Sequence, residues 1–245
     1  MLWLIANNEI PLEIHYNGLF QFAIIAMSTD LKGELRYQEP MADHTSWRVG
    51  GLAEHFYYPK DLTDLAVYLQ RITPGEPLFW CGLGSNTLVR DGGIKGHVIA
   101  TQKYLNRIEM LDALTVRAEV GVSCATLARF TARLDLSGLE FLAGIPGTVG
   151  GALAMNAGCH GGETWPLVTS VELIDRSGLR SLHSAQEFCY AYRHVDIPAD
   201  HWFVAAHFRL SVGDKASSLQ QIRDLLARRL ATQPTNEPSG GSTFR

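Results

Sequence analysis

Residues 141–163 read FLAGIPGTVGGALAMNAGCHGGE. Seven of these twenty-three residues are glycine, set among small apolar side chains with almost no charge. Glycine inside a regular element is destabilising by roughly 0.5–1 kcal/mol relative to alanine. So much bare backbone implies that something comes close to the main chain: another strand, a tight turn or a ligand.

A second glycine-bearing stretch lies upstream, CGLGSNTLVRDGG at 81–93. Its Gly82-x-Gly84 spacing begins a dinucleotide fingerprint, but Thr87 stands where the third glycine belongs, and no acidic residue closes a strand–helix–strand unit downstream. Classical NAD binding is thereby disfavoured. What remains is a strand running into Gly-Leu-Gly-Ser-Asn, whose successive amides suit an anion-binding nest, with Ser85 and Asn86 adding donors. A tight hairpin turn is the plainer alternative. Around Gly147, Thr148, Gly150 and Gly151 the later segment offers further accessible amides. Two such loops from distant parts of the chain suit a dinucleotide with a diphosphate, or else two close backbone crossings without a ligand.

The rest of the chain bounds these readings. Its 245 residues suffice for one large or two smaller domains, and 46% hydrophobic with 19% charged residues is an ordinary globular balance. A net charge of -4 gives no basic footprint, so no nucleic-acid partner is expected. Cys81, Cys124, Cys159 and Cys189 are widely spaced, which argues against zinc or a disulfide framework and for reduced, mostly buried thiols in a cytoplasmic protein. His44, His55, His160 and His194 show no metal spacing, so no metal is expected. The first 26 residues lack the basic start of a signal peptide, and their apolar runs are too short to span a bilayer. No membrane insertion and no obligate protein partner are expected, and Met27 is the expected natural start.

Periodicity predicts helices over 61–71, 123–136 and 218–233, with Asp61 and Ser123 as N-caps. Strands are expected near 55–59, 77–81, 97–102, 114–121, 169–175 and 203–211, with loop over 28–43. The mixture lacks a strict βαβ rhythm, which favours an α+β fold.

Five stretches carry a resemblance: HTSWRVGGLAEHFYYP (44–59), GLGSNTLVRDGGIKGHVI (82–99), GLEFLAGIPGTVGGALAMNAGCHGGE (138–163), YAYR (190–193) and QPTNEPSGGSTF (233–244). In this order they resemble the MurB family, the UDP-N-acetylenolpyruvoylglucosamine reductases of bacterial peptidoglycan synthesis, in its shorter, second type. The resemblance implies a two-subdomain FAD-binding fold of the vanillyl-alcohol-oxidase (PCMH) type, followed by a partial α+β substrate domain. The expected boundaries are a leader at 1–43, the FAD-binding domain at 44–212 and the start of the substrate domain at 213–245.

The family chemistry implies non-covalent FAD, NADPH as hydride donor, and reduction of UDP-N-acetylglucosamine enolpyruvate to UDP-N-acetylmuramate. By motif, the cofactor-holding residues are Gly82, Leu83, Gly84, Ser85, Asn86, Ile145, Pro146, Gly147, Thr148, Gly151, Ala152 and Asn156. Arg193 matches the arginine that stabilises the enolate. Ser242 matches the serine that protonates C2, with Ser239 as second choice. Tyr192 and Arg229 are expected on the substrate side, where Arg223 and Arg228 share the late helix. The family's closing segment, which bears a glutamate, has no counterpart, and Val195 stands where YR-x-S has serine. The chain is therefore expected to be C-terminally shortened, the alternative to a working reductase being a catalytically impaired FAD-binding fragment.

Overall fold

A computed structural model describes residues 30–234 and 237–240, and those from Lys32 onward belong to one compact unit. Two sheets organise it. The first contains β1 (Glu34–Pro40), β2 (Leu52–Tyr58), β3 (Leu78–Cys81) and β4 (Ile94–Ala100) in the order β1-β2-β4-β3, with α1 (Leu62–Arg71) between β2 and β3. β1 pairs antiparallel with β2, while β4 runs parallel to both its neighbours.

Asp61 caps α1 as expected, its carboxylate accepting from Asp64 N–H at 2.8 Å. The helix buries Leu65 and Leu69 and stacks Tyr68 on Tyr57 of β2, centroids 3.8 Å apart. Met41, Phe56, Tyr58, Cys81 and Val98 form a further buried apolar cluster. β1 corrects the loop expected over 28–43. It is an edge strand rich in charge, tied by Arg36 to Glu34 and Glu39, so it lacks the apolar alternation that announces a half-buried strand.

The second sheet is wholly antiparallel. Its early strands are β5 (Ile108–Met110) and β6 (Thr115–Glu119), followed by α2 (Cys124–Arg133), the short β7 (Leu136–Ser137) and α3 (Val149–Ala154). The hairpin β8 (Gly158–Cys159)–β9 (Gly162–Glu163) precedes β10 (Val168–Asp175) and β11 (Arg180–Ser184). A second small hairpin, β12 (Tyr190–Ala191)–β13 (His194–Val195), leads to β14 (His201–Arg209), β15 (Ser211–Val212) and α4 (Lys215–Thr232). The sheet order is β11-β10-β14-β6-β5. Phe203 to Ala206 of the central β14 are all buried, in keeping with a strand covered on both faces.

Trp80 of β3 stacks on Trp202 of β14 at 5.6 Å, joining the two sheets, and Arg176 donates across to Glu76 O at 3.0 Å. α4 begins three residues before its expected start because Asp214 caps it, accepting from Ser217 N–H at 2.8 Å. All four cysteines are free thiols; Cys81 and Cys124 are buried and Cys189 is exposed.

Candidate functional site

The two glycine loops meet. A Cβ built on Gly82 would lie 2.6 Å from Thr148 Oγ1, and one on Gly147 would lie 3.5 Å from Ser85 Oγ. β3 delivers the first loop at its C-terminal end. The second loop is fastened to the segment after β6 by Cys124 N–H to Gly147 O (2.9 Å), Val149 N–H to Val122 O (2.8 Å) and Gly150 N–H to Val120 O (2.9 Å).

Gly84 shows why glycine is needed here. Its φ of +62° lies in the left-handed region, and a Cβ would collide with His44 O. The Gly84 carbonyl accepts from Ser46 N–H at 3.1 Å. Among the described residues, none accepts a hydrogen bond from the amides of Leu83, Gly84, Ser85 or Asn86. Leu83 and Asn86 are exposed and Ser85 half-buried, so these amides lie at the surface beside a second glycine loop, an arrangement of the anion-binding-nest kind. A Cβ on Gly151 would meet nothing within 4 Å, which leaves open space at the start of α3.

The remaining cofactor candidates divide by exposure. Pro146 is exposed and Ile145 half-buried, whereas Ala152 is buried and donates its amide to Thr148 O at 2.9 Å. Asn156, expected by motif among the cofactor-holding residues, has its side chain bonded within the protein. It is 2% exposed, its Nδ2 donates to Glu163 Oε2 and Ala191 O (both 3.2 Å), and its Oδ1 accepts from Trp165 N–H at 3.2 Å. Those bonds tie the end of α3 to the β8–β9 and β12–β13 hairpins. Glu163 of β9 thus accepts from the Asn156 amide.

Arg193 occupies the turn between β12 and β13 at a left-handed φ of +57°. Its Nη1 donates to Asn156 O at 3.4 Å and its Nη2 to Gly158 O at 3.2 Å, and the guanidinium lies 5.1 Å from the exposed Tyr192 ring. α3, about 9 Å long at 1.5 Å per residue, joins the Thr148 end of this region to the Asn156 end. Burial pushes the Cys159 thiol up, while the positive charges of Arg193 and Arg229 pull against that rise. Arg193 bonds this hairpin directly, whereas Arg229 on α4 donates to Gln233 Oε1 at 3.4 Å. Arg223 is exposed on α4 and bonds Gln220 at 2.8 Å instead.

The tail also returns to this region. Ser239 N–H donates to Ser46 O at 3.2 Å, and Ser46 in turn bonds the Gly84 carbonyl. Ser242 and the expected start at Met27 lie outside the described residues. Among the described residues no cluster of His, Cys, Asp and Glu suits a metal ion, and no helix is long and apolar enough to cross a membrane.

The chain matches the model of an FAD-binding domain family over residues 53–181, a span that includes both glycine loops. The Leu83 to Asn86 amides, the open space over Gly151 and the close approach at Gly82 fit such a diphosphate-bearing, flat-ringed group. The chain is 54% identical over 217 residues to UDP-N-acetylenolpyruvoylglucosamine reductase of Legionella pneumophila (strain Corby), covering 89% of this chain and 70% of the relative. The reductase of the same name from Methylococcus capsulatus is 55% identical over 214 residues, covering 87% and 70%.

Among solved structures, UDP-N-acetylenolpyruvylglucosamine reductase (MurB) from Thermus caldophilus aligns with a TM-score of 0.70 at 27% identity, over 87% of this chain and 74% of that one. 6-Hydroxy-D-nicotine oxidase from Arthrobacter nicotinovorans aligns at 0.57 with 16% identity, over 77% and 44%, a likeness of fold alone. The α+β, PCMH-type architecture is thus shared with both, and at this level of identity and coverage the chain belongs to the UDP-N-acetylenolpyruvoylglucosamine reductase (MurB) family.

Proposed function

We propose that this chain reduces UDP-N-acetylglucosamine enolpyruvate to UDP-N-acetylmuramate with non-covalent FAD and NADPH, as a cytoplasmic step of peptidoglycan precursor synthesis. The observation that carries the reading is the meeting of the Gly82 and Thr148 loops beside a run of amides with no acceptor among the described residues. We assign the cofactor to residues 44–212 and the beginning of a substrate-binding portion to 213–245.

Bound FAD, recharged by NADPH, supplies a hydride for C3 of the enolpyruvyl group. The chain's own residues do the rest. The amides of Leu83 to Asn86 hold the diphosphate, and Ile145 to Thr148 with Gly151 present backbone to the ring system. Arg193 has five N–H donors, of which two hold Asn156 O and Gly158 O. The three that remain can meet the substrate carboxylate, towards which negative charge moves as C3 is reduced. A proton must then reach C2, and the tail serine, Ser242, is its proposed source. Tyr192 and Arg229 border the same space.

Anaerobic stopped-flow absorbance of the flavin band tests this. Addition of NADPH should bleach the band, and addition of the enolpyruvyl UDP-sugar should restore it with formation of the lactyl ether. Bleaching without substrate-dependent return would refute reductase activity of this chain, and colourless protein would refute FAD binding.

A further inference from the structure

We propose that Trp47 is a positioning residue whose indole seats Gly240, fixing the serine-bearing tail on the backbone that supports the Gly84 loop. The geometry is a stack of three chain segments. Ser239 N–H bonds Ser46 O at 3.2 Å, and Ser46 N–H bonds Gly84 O at 3.1 Å. One residue along each chain, Gly240 lies against Trp47. A Cβ there would collide with indole Nε1 and stand 2.7 Å from Cε2. No left-handed φ calls for glycine at 240; the indole does.

Trp47 is itself held by a built turn. Thr45 is buried, its Oγ1 donates to Val49 O at 3.1 Å, and Arg48 N–H donates to Thr45 O at 3.1 Å. Arg48 is left-handed at φ +55°, a conformation that a surrounding structure must impose. This turn presents a 38% exposed tryptophan to the tail while its other side touches the first glycine loop. Seating of the tail and order in that loop therefore share one intermediary, the backbone of Thr45 to Trp47.

The inference rests on the flavin reading for its catalytic consequence, though not for the seating itself. Its test uses the full chain with Trp47→Leu, Trp47→Phe and Gly240→Ala. Loss of the seat should speed hydrogen exchange of the Ser239 amide by up to about tenfold in Trp47→Leu and Gly240→Ala, the scale of one net hydrogen bond. Trp47→Phe, which keeps a ring, should retain most of the protection. Adding Gly240→Ala to Trp47→Leu should change little further, because the collision partner is gone. With FAD loaded, Trp47→Leu should slow return of the flavin band on substrate addition but leave bleaching by NADPH unchanged.

Wild-type exchange of Ser239 in both Trp47→Leu and Gly240→Ala would overturn the seating. Equal slowing of both half-reactions would overturn the positioning role and make Trp47 a support of the fold. A wild-type chain without substrate-dependent return would sink the reductase reading alone, since the exchange comparison needs no turnover.

Discussion

The Arg193 guanidinium spans two main-chain carbonyls, Asn156 O at 3.4 Å and Gly158 O at 3.2 Å, from a backbone held at φ +57°. The left-handed region costs a non-glycine residue roughly 1–2 kcal/mol, and it is a conformation that the two-residue Tyr192-Arg193 turn of the β12–β13 hairpin calls for. Arg193→Gly should relieve the strain while loosening the unfolded chain, leaving stability within about 1 kcal/mol of wild type. Turnover should nevertheless fall by about a hundredfold or more, the scale of a lost oxyanion donor. Arg193→Lys should rescue little, because an ammonium cannot bridge both carbonyls and still fork a carboxylate. Urea melts beside steady-state kinetics check this; a Gly variant that unfolds would show the residue to be structural.

Contact between Gly82 and Thr148 makes a second prediction reversible. Gly82→Ala places a methyl 2.6 Å from Thr148 Oγ1, and Thr148 is buried and has nowhere to retreat. The loops must part, and FAD affinity should drop by about tenfold or more, a loss in the 1–3 kcal/mol range of overpacking. Thr148→Ala removes Oγ1, leaving Thr148 Cβ at an ordinary 3.4 Å, so the double variant should recover most of the affinity. Fluorescence titration of apo-protein with FAD reads both, and a double variant no better than Gly82→Ala would show that the loops do not limit binding.

Much of this site was legible because backbone conformations leave residue signatures. Asp61 and Ser123 cap α1 and α2 as their positions announced, accepting from Asp64 and Thr126 N–H. The glycines at 82 and 84 marked close approach. β1 was missed because an edge strand held by Arg36, Glu34 and Glu39 looks like polar loop. α3 was missed because Gly150 and Gly151 argue against helix locally; bonds from Val149 and Gly150 to Val122 and Val120 hold it in place. The three side-chain bonds of Asn156 join separate segments of the chain, and no motif announces them. The pairing of Trp47 with Gly240 joins residues nearly two hundred positions apart, and no periodicity reaches that far.

A charged network across the second sheet sets an acid limit. Burial disfavours ionised Glu172, but hydrogen bonds from Arg117 (Nη2 at 2.9 Å) and then His207 (3.1 Å) prevail and bring its carboxyl from 4.5 to about 2. A depressed folded pKa contributes stability above the unfolded value, and that contribution fades as pH falls towards the folded one. Glu172→Gln should therefore cost about 1.5–3 kcal/mol at pH 7, the range for hydrogen bonds to charged groups. The gap from wild type should narrow between pH 4.5 and about 2. Urea unfolding of both proteins across that window measures it, and a gap that stays constant would show that the ionised pair is not its source.

Ser218 links α4 to the turn that feeds the second glycine loop. Its Oγ donates to Glu140 Oε1 at 2.6 Å, while Gly138 N–H satisfies Glu140 Oε2 at 2.8 Å, and both side chains are buried. Ser218→Ala strips one partner from a buried carboxylate, a loss of about 1–3 kcal/mol. Ile222 is the one fully buried apolar side chain of α4, with Leu225 and Leu226 half-buried, so this buried bond is one of the helix's few anchors. The loss should appear as local opening, with faster amide exchange along Lys215–Thr232 and little change in the two sheets. Arg229 rides on α4, whereas the FAD cradle is fastened to the segment after β6. Ser218→Ala should thus raise KM for the UDP-sugar while leaving Kd for FAD near wild type. Equal weakening of both would mean that α4 belongs to the cofactor portion, and the division at residue 213 would have to move.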